Sequence, residues 1–501
     1  MYGGSLGVVA FGNTKESKEE YRRFIRGLRL VPDEYLQLKR AFQGGFTHAS
    51  PFYVDKIVEN VDSYDFTSSY PAVLVSEKFP MSCAQIVPIR SMRQFEANLN
   101  QYCCLFDVEF IDIEATFLFD NYISSSRCYQ LEGEVLNNGR VVRAKRLVTT
   151  ITEQDYFIIR KTYRWKGNPR IGTFRRYEKG YLPKPFVEAV LDLYETKTRL
   201  KGIIEMLEEY NKAKEMANSC YGMCVTDPVR GEITYIENMW EGEREPDKKK
   251  PKIPPKEVLA KAIRDYNNSY SRFLFYPWGI WVTAYARRNL WTAILETKSD
   301  HVYSDTDSEK LRNSERHKAY FEHYNNMITA DIIKACEYHG IDPKKASPKT
   351  IKGKVKPLGV WDFDGSYSRF KTLGAKRYMV EYADIPENGE TRGEINITVS
   401  GVNKKKAVPN MLKKYGKNKT KKKRGIFEAF TRDLTIPAND TGKLIHSYID
   451  WEIDTTLTDY KGNLGEVHEK SVVHLEPSAY NLSMAQKFVD YITNIKADWI
   501  E

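Results

Sequence analysis

The chain has 501 residues, of which 29% are charged and 41% are hydrophobic, which is the balance of a globular protein and excludes a disordered chain. Lysine and arginine outnumber aspartate and glutamate by 77 to 67, giving a formal net charge of +10. This excess favours a polyanionic partner, although a basic surface kept for solubility would give the same balance. The 33 tyrosines and 23 phenylalanines favour the partner, because aromatic faces beside Lys and Arg suit stacked bases and phosphates.

The cysteines and the apolar segments indicate the cellular compartment of the protein. The seven cysteines are scattered and form no C-x-x-C pair, which predicts a reducing interior without structural zinc. No secretory signal is visible at the N-terminus. The most apolar window, residues 273–286, contains Pro277 and Gly279 and is too short to cross a bilayer. We therefore expect a soluble, cytoplasmic protein.

Strand-like and helix-like segments alternate along the chain. Apolar alternation and short aromatic-rich runs predict strands with turns in residues 54–75, 104–119, 140–163 and 353–382. Apolar residues at helical spacing predict a long helix or a helical pair over 185–221, and a further helix over 256–270. Between them, turn residues and the run Lys248-Lys249-Lys250-Pro251 predict a protruding loop or a small β insertion. This order of elements indicates an α+β protein.

The first candidate site residue is Asp65, which closes a strand-like run shortly before the chain turns at Tyr70-Pro71. A carboxylate at a strand end, beside the main-chain amides of a turn, suits a Mg²⁺ ion that also binds phosphate oxygens. Taken alone, an aspartate before a turn is more often a cap.

A second acidic segment is Tyr303-Ser304-Asp305-Thr306-Asp307-Ser308. Aspartates separated by one residue project to the same side of an extended segment, and their repulsion is tolerable only beside a cation or at a solvated turn. A solvated hairpin tip would explain this segment alone. Carboxylates from two distant segments could instead meet to hold the two divalent ions that phosphoryl transfer needs. Ligands that are all oxygens favour Mg²⁺, with Mn²⁺ as a substitute.

A third segment lies on the predicted helix, where Lys214, Asn218 and Tyr221 fall at i, i+4 and i+7 and share one face. That face offers an ammonium for a triphosphate, an amide for hydrogen bonds and a ring for a base or sugar. Gly222 would end the helix or let a backbone approach closely. An exposed lysine beside a packed tyrosine is the ordinary alternative for this spacing.

Taken in chain order, the Asp65, Lys214 and Tyr303 segments resemble the motifs of family B DNA polymerases, which read D-x-x-S-L-Y-P, K-x-x-x-N-S-x-Y-G and Y-x-D-T-D. Further residues resemble the protein-primed branch, which occurs in phages, adenoviruses and linear plasmids. Thr283, Ala286 and Arg287 match its T-x-x-A-R element, and Lys376-Arg377-Tyr378 matches its K-x-Y element. Phe42-Gln43-Gly44-Gly45-Phe46 is similar to the Y-x-G-G segment that joins its exonuclease and polymerase halves.

The resemblance implies a right-hand polymerase fold with an antiparallel-sheet palm, helical fingers and a small thumb. It divides the chain into an N-terminal segment with the first part of the palm (1–80), a palm insertion resembling the first terminal-protein region (81–186), fingers (187–224), an insertion resembling the second terminal-protein region (225–272), palm (273–403), and thumb with a C-terminal extension (404–501). The basic residues between 404 and 424 would contact duplex phosphates, although a solvated surface also explains their charge.

The resemblance also implies a role for each matched residue. Asp65 and Asp307 would bind the metal ions, and Asp305 would assist them. Tyr70 would pack under the sugar and exclude a 2′-hydroxyl. The nucleotide would also meet Ser69, Lys201, Lys214 and Tyr221. Template or primer DNA would be bound by Ser68, Asn218, Gly222, Thr283, Arg287, Lys376, Tyr378, Gly44 and Gly45.

The implied function is template-directed DNA synthesis from dNTPs, in protein-primed replication of a phage or linear mobile element. The expected partners are template and primer DNA, dNTPs and a terminal protein, with no membrane, a monomeric chain and, for a phage protein, the cytoplasm of the host. Two alternatives stay open: a catalytically silent DNA-binding replication scaffold, and a reverse transcriptase or RNA polymerase with a similar palm.

The sequence departs from the family pattern near its N-terminus. Phe42 replaces the tyrosine of the Y-x-G-G segment, and Ser69 stands where leucine is common. About forty residues precede Phe42, too few for the exonuclease domain that the family places there. Asp112-Ile113-Glu114 has the D-x-E shape of an exonuclease motif but follows Asp65, and we interpret it as alternation on a strand. Proofreading is therefore predicted to be absent from this chain.

Overall fold

The computed structural model describes residues 15–229, 234–236, 239–241, 255–384, 392–402, 425–441, 444–449, 453–458, 464–469 and 472–495. The chain divides into two compact units. The first contains residues 1–226, 266–395 and 484–501, and the second contains 227–265 and 396–483. The predicted basic segments at 248–251 and 404–424 lie outside the described residues.

An antiparallel sheet, here called the first sheet, is the central element of the first unit. Its core is formed by β-branched and aromatic residues such as Val61, Val302 and Phe370, which pack with Phe488 of a C-terminal helix. Such residues favour the pleated, half-buried surface of a strand. The neighbouring strands, in spatial order, are Thr47–Ala49, His301–Asp305, Ser308–Leu311, Ile57–Phe66, Trp361–Gly374 and Arg377–Tyr382.

A second antiparallel sheet of the first unit is formed by the residues predicted as the first insertion. Its two longest strands pair with one another. They carry hydrophobic residues, including Phe106, Phe110 and Leu147, which are fully buried. The strands follow one another in space as Gln85–Ile86, Arg170–Tyr177, Cys103–Ala115, Arg140–Thr152 and Cys128–Glu132. Its short strands are Val135–Asn137 and Tyr163–Arg164, and Phe79–Pro80 with Lys179–Gly180 forms a separate two-stranded sheet.

Helices cover the remaining parts of the first unit. The predicted helical pair is confirmed as Lys184–Leu200 and Leu207–Cys224. The further predicted helix is Lys256–Asn268, most of which belongs to the second unit. Short 3₁₀ turns occur at Ser125–Arg127, Ile204–Met206, Lys298–Asp300, Ser314–His317 and Pro343–Ala346. The other helices are Lys15–Gly27, Pro32–Ala41, Ser69–Ser76, Met92–Gln101, Glu153–Thr162, Tyr276–Thr297, Lys318–His339 and Gln486–Asn494.

Two stretches predicted as strands are helical. Ser69–Ser76 and Glu153–Thr162 are both helices, although they contain apolar runs that are typical of strands. Burial explains why Ser69–Ser76 was predicted as a strand. Most residues of this helix are buried, so its sequence lacks the regularly spaced polar residues that mark an amphipathic helix. For the second, Thr152 and Asp155 form a capping box, which starts a helix whatever the composition that follows.

The most apolar window of the sequence lies in the buried helix Tyr276–Thr297. Pro277 stands in its first turn, where a missing amide hydrogen costs no hydrogen bond. Gly279 allows a close crossing, since a Cβ there would overlap the side chain of Val225. Among the described residues, none of the helices combines the length and the apolar character that a membrane span requires.

The described elements of the second unit are mainly hairpins. Thr234–Ile236 pairs with Met239–Glu241, so the described part of the predicted loop or small β insertion is a β-hairpin. Two further antiparallel pairs join Leu444–Ile449 to Val472–Pro477 and Ile453–Thr458 to Leu464–Glu469. The remaining elements are Thr435–Ile436, which pairs with Tyr480–Asn481, the helix Ala438–Thr441 and the strand Ile395–Val399.

Candidate active site

Two acidic segments that are far apart in sequence meet at one edge of the first sheet. Asp65 is the next-to-last residue of the strand Ile57–Phe66, and Ser308 lies opposite it on the neighbouring strand. The amide of Phe66 donates to the carbonyl of Asp307 over 2.8 Å. Asp65 therefore lies beside the turn formed by Asp305, Thr306 and Asp307, here called the acidic turn.

The acidic turn is strained and is held by a preceding segment of chain. Thr306 has a φ of 62°, in the left-handed region that β-branched residues rarely adopt. Its amide donates to the carbonyl of Phe46 over 2.7 Å, and the amide of Asp307 donates to the carbonyl of Asp305 over 2.7 Å. A Cβ on Gly45 would lie 2.5 Å from Cγ2 of Thr306, so only glycine fits there without a shift.

The carboxylates of Asp65 and Asp307 repel one another. Burial, with the negative charge of Asp307, raises the pKa of Asp65 above its usual value, and Lys310 and Lys197 oppose the shift. Burial raises the pKa of Asp307 as well, against the charge of Lys310. Two buried carboxylates at close range cannot both ionise without cost, so this pair is poised to accept a positive charge.

The residues at this edge fit a divalent cation. Within the described residues, no group of three or more His, Cys, Asp and Glu side chains has the arrangement of a metal site. The two buried carboxylates at this edge are those of Asp65 and Asp307. Mg²⁺ commonly takes one or two carboxylates and completes its shell with phosphate oxygens and water. The electrostatics and the ligand type both suit such an ion.

The third aspartate, Asp305, is bound by neighbouring side chains. Its Oδ1 accepts hydrogen bonds from Thr47 Oγ1 at 2.9 Å and from Lys376 Nζ at 2.6 Å. The amide of Lys376 also donates to the hydroxyl of Tyr303, and the Tyr378 ring lies 5.1 Å from the Tyr303 ring. Lys376 and Tyr378, predicted to bind DNA, thus lie beside the acidic turn.

A pair of aromatic rings borders the site. The rings of Tyr70, in Ser69–Ser76, and Tyr221, in Leu207–Cys224, lie 4.4 Å apart. Burial, followed by the charges of Tyr221 and Asp307, raises the pKa of Tyr70. Tyr70 therefore lies within electrostatic reach of the acidic pair, as its predicted role at the sugar requires.

Lysines interact with the acidic pair. Lys197 donates from Nζ to Ser68 Oγ over 2.8 Å. Burial, then the charges of Lys214 and Lys201, lowers the pKa of Lys197, while Asp65 and Asp307 oppose the shift. Three lysines and two aspartates thus share one electrostatic environment.

Lys197 was missed by the sequence analysis. It precedes Lys201 by four residues, in the last turn of the helix Lys184–Leu200, which Lys201 follows directly. That spacing was a usable signal, but it falls outside the K-x-x-x-N-S-x-Y-G motif that directed attention to Lys214.

Several predicted contact residues lie around this centre. Ser68 has a left-handed backbone, with a φ of 62°, and Ser69 begins the helix Ser69–Ser76 and is buried. Lys214 and Asn218 are exposed on Leu207–Cys224. Of the two alternatives for Gly222, a helix end or a close backbone approach, the structure excludes the first, because the helix continues to Cys224. A Cβ on Gly222 or Gly44 would meet open space.

The structure corrects the expected direct DNA contacts of Thr283 and Arg287. Thr283 is fully buried, and its hydroxyl donates to the carbonyl of Ile280 within its own helix. Arg287 is also buried, and its guanidinium donates to Asp155, Tyr122 and the carbonyl of Gly44. Neither side chain presents a surface to a ligand, so any effect on DNA passes through the elements that they hold.

Comparison with known proteins agrees with this arrangement. Residues 17–326 match the family described as DNA polymerase type B, organellar and viral. The chain belongs to this family. The match includes Asp65, the Lys214–Gly222 segment and the acidic turn.

Phage enzymes are among the relatives of this type B polymerase chain. It is 24% identical over 381 residues to the DNA polymerase of Bacillus phage B103 and 23% identical over 382 residues to that of Bacillus phage phi29. Each alignment covers 76% of this chain and 55% of the relative. The chain thus spans about half the length of these relatives.

Solved structures of the phi29 DNA polymerase share the fold. The complex with primer-template DNA and incoming nucleotide substrates has a TM-score of 0.59 and 16% identity, and the match covers 96% of this chain and 68% of that chain. The binary complex with primer-template DNA has a TM-score of 0.58. The predicted α+β right-hand polymerase fold is confirmed by these matches.

Proposed function

We propose that this chain is a template-directed DNA polymerase that extends a primer 3′ end with dNTPs. The observation that carries the proposal is the meeting of Asp65 and Asp307, whose pKa values are raised and which interact electrostatically with Lys197 and, through Asp307, with Tyr70 of the Tyr70–Tyr221 pair. Two like charges at one strand end are unfavourable for folding alone. They are useful where a cationic reagent must be bound together with a polyphosphate.

Each side chain of the site has a task in this reaction. Asp65 and Asp307 hold two divalent ions, Mg²⁺ or Mn²⁺, which when bound lower the pKa of the attacking hydroxyl and neutralise the leaving pyrophosphate. The triphosphate is bound by Lys197, Lys201 and Lys214, whose positive charges balance its negative charge. The sugar and base pack against Tyr70 and Tyr221, and Ser69 supports the start of the Tyr70 helix.

The remaining predicted site residues are those proposed to bind DNA. We propose that template and primer contact Ser68, Asn218, Gly222, Lys376, Tyr378, Gly44 and Gly45. In the phi29 enzyme, solved complexes contain primer-template DNA and incoming nucleotides, which supports the same classes of partner here. Residues 187–224 would act as fingers, and residues 1–80 and 273–403 as palm.

The proposal extends to the mode of replication. It comprises protein-primed synthesis with a terminal protein, by a monomeric chain, and the phage origin of the relatives supports replication of a phage-type genome. The segments 81–186 and 225–272 would be the two terminal-protein regions, and 404–501 the thumb with a C-terminal extension. We assign this activity to the host cell cytoplasm.

A primer-extension assay tests the proposed activity. The full chain is mixed with a labelled primer-template, Mg²⁺ and either dNTPs or rNTPs, and DNA binding is measured in parallel by electrophoretic mobility shift. Extension with dNTPs that stops on chelation of Mg²⁺ is expected. Binding without extension would contradict the proposal in favour of a silent scaffold, and a preference for rNTPs would contradict it in favour of an RNA polymerase.

A further inference from the structure

A buried carboxylate outside the active site is connected to the acidic turn through a series of hydrogen bonds. The carboxylate belongs to Asp155, in the first turn of the helix Glu153–Thr162. Its Oδ2 accepts from the amide of Thr152 at 3.1 Å and from the Thr152 hydroxyl at 2.7 Å. Its Oδ1 accepts from Arg287 Nη2 at 2.6 Å and from the hydroxyl of Tyr122. Asp155 therefore joins the second sheet to the helix Tyr276–Thr297.

The partner guanidinium continues the connection toward the active site. The side chain of Arg287 is fully buried and that of Asp155 nearly so. Nε of Arg287 donates to the Tyr122 hydroxyl at 2.9 Å, and Nη1 donates to the carbonyls of Gln43 and Gly44, the latter at 3.0 Å. Burial alone would raise the pKa of Asp155, but the charge of Arg287 and the hydrogen bonds lower it. The pair is thus ionised and fixes the backbone of residues 43–44.

Gly45 and Phe46, which follow Gly44 in the chain, contact the acidic turn directly. The Phe46 carbonyl accepts from the Thr306 amide at 2.7 Å, and Gly45 lies against the Thr306 side chain. Thr306 keeps a positive φ, which costs of order 1–3 kcal/mol for a non-glycine residue and persists only where the surroundings enforce it. Residues 43–46 are the surroundings that enforce it.

We propose that Asp155 is a positioning residue for the acidic turn, which it holds in place through Arg287 and residues 43–46. The inference rests on the proposed function, since the purpose of the turn there is to present Asp307. Without the Asp155 charge, the buried Arg287 lacks a counter-ion and is drawn toward water. Its bonds to the carbonyls of Gln43 and Gly44 then weaken, and the turn is free to relax.

The first test is Asp155→Asn, assayed by steady-state primer extension with Mg²⁺. The expected result is a fall in kcat of roughly 10- to 100-fold, the range for a small displacement of a catalytic group, with the dNTP KM changed less than about 3-fold because the lysines are untouched. The matched control is Glu381→Gln, which breaks the Glu381–Arg369 ion pair of the first sheet and should leave kcat within about 2-fold. An equal fall of kcat in both variants, or an unchanged kcat in Asp155→Asn, would overturn the proposal.

A second pair of variants covers the case in which Asp155→Asn fails to fold. Gly45→Ala places a methyl group against Thr306, and it should lower kcat. Adding Thr306→Gly removes the colliding side chain and suits the positive φ, so the double variant should recover at least about half of the lost activation free energy. No recovery, with both proteins folded, would contradict a contact that acts through Thr306.

Hydrogen exchange of the full chain separates this inference from the proposed function. Peptides that contain the Thr306 amide should exchange faster in Asp155→Asn than in wild type and Glu381→Gln, whether or not any protein extends a primer. If Asp155→Asn exchanges faster than wild type but wild type does not extend a primer, the proposed function is contradicted and the structural link from Asp155 to the acidic turn remains supported. Extension by wild type with unchanged exchange in Asp155→Asn would overturn the link alone.

Discussion

The first sheet contains two groups of buried charges with opposite electrostatic character. At the acidic edge, which is formed by Asp65 and the acidic turn, Asp65 and Asp307 interact electrostatically and burial raises both pKa values. At the opposite end of the strand His301–Asp305, the charges alternate. Asp120 accepts from His48 at 2.5 Å and bonds His301 at 3.2 Å, and His301 bonds Glu309 at 3.2 Å.

The alternating group is satisfied within the protein. Burial works against the charge of Asp120, yet His48 and His301 lower its pKa to about 2. Burial likewise works against the charge of His301, yet Asp120 and Glu309 raise its pKa to about 9. Opposite charges in contact can offset burial, whereas like charges in contact cannot. The comparison teaches that the alternating group is satisfied within the fold, whereas the acidic edge keeps an excess of negative charge, as the proposed cation site requires.

The largest expected effect is that of Asp307→Ala at the acidic edge. Loss of a metal ligand should reduce primer extension by roughly 10³-fold or more, because several kcal/mol of charge stabilisation are removed, while most DNA binding is kept. Extension rates and mobility shifts measure the two quantities. Asp192→Ala, which removes an exposed carboxylate paired with Lys345, is the control. Near-normal extension by Asp307→Ala would refute the assignment of Asp307.

The alternating group should respond in stability instead. Asp120→Asn removes the anion that faces two histidines and should lower the free energy of unfolding by about 3–5 kcal/mol. Chemical denaturation measures the change. Asp192→Asn makes the same chemical change at an exposed pair and should cost less than about 1 kcal/mol. Equal losses in the two variants would break the distinction between the two groups of charges.

The pH dependence of wild-type stability follows from the same group. The pKa of His301 is raised in the folded state, so its contribution is complete below about pH 6.5 and is lost as the pH rises through 9. The pKa of Asp120 is lowered, so its contribution is complete above about pH 4 and is lost as the pH falls through 2. The wild-type melting temperature should therefore fall between pH 6.5 and 9, and Asp120→Asn should flatten that fall. If the melting temperature falls by the same amount in wild type and Asp120→Asn, the interaction of Asp120 with His301 is excluded as the origin of the pH dependence.

Tyr70→Val should change the choice of sugar without a large loss of extension. The ring lies between Tyr221 and the acidic edge, where it would meet a 2′-hydroxyl. Removing it should lower discrimination against ribonucleotides by about 10- to 100-fold. Competition between dNTPs and rNTPs in primer extension measures the ratio, with Tyr210→Val, on the helix that carries Tyr221, as the control. An unchanged ratio would argue against a gate at Tyr70.

The smallest expected effect is that of Lys197→Met. This change removes a cation that interacts with the acidic edge while keeping most of the side-chain volume, and it should raise the dNTP KM by roughly 10-fold. Lys184→Met, at the other end of the same helix, is the control and should leave the KM unchanged. A normal KM for Lys197→Met would remove Lys197 from the triphosphate site.

Sequence reasoning predicted the acidic edge better than its surroundings. The motifs that contain Asp65, Asp305 and Asp307 are short and chemically specific, so the meeting of their segments could be expected from the amino-acid sequence. The helical pair followed from spacing alone. Ser69–Ser76 was predicted as strand because a fully buried helix loses its amphipathic pattern.

The supporting contacts could not be predicted, since each joins residues that are distant in sequence. Arg287 matched a motif, but its partners Asp155 and Gly44 lie 132 and 243 residues away. Asp120 and His301, separated by 181 residues, carry no local pattern that would connect them. Lys197 had a helical spacing to Lys201, yet its approach to Ser68 depends on how the helix packs. Tertiary packing decides all three.

The central claim is that Asp65 and Asp307 together hold the divalent ions of the reaction. The most direct measurement is a crystal structure of the chain with primer-template DNA, a non-hydrolysable dNTP analogue and Mn²⁺, with the ions located by anomalous scattering. The account predicts two anomalous peaks roughly 4 Å apart, both within bonding distance of the carboxylates of Asp65 and Asp307. Ions bound elsewhere, with these two side chains left uncoordinated, would contradict it.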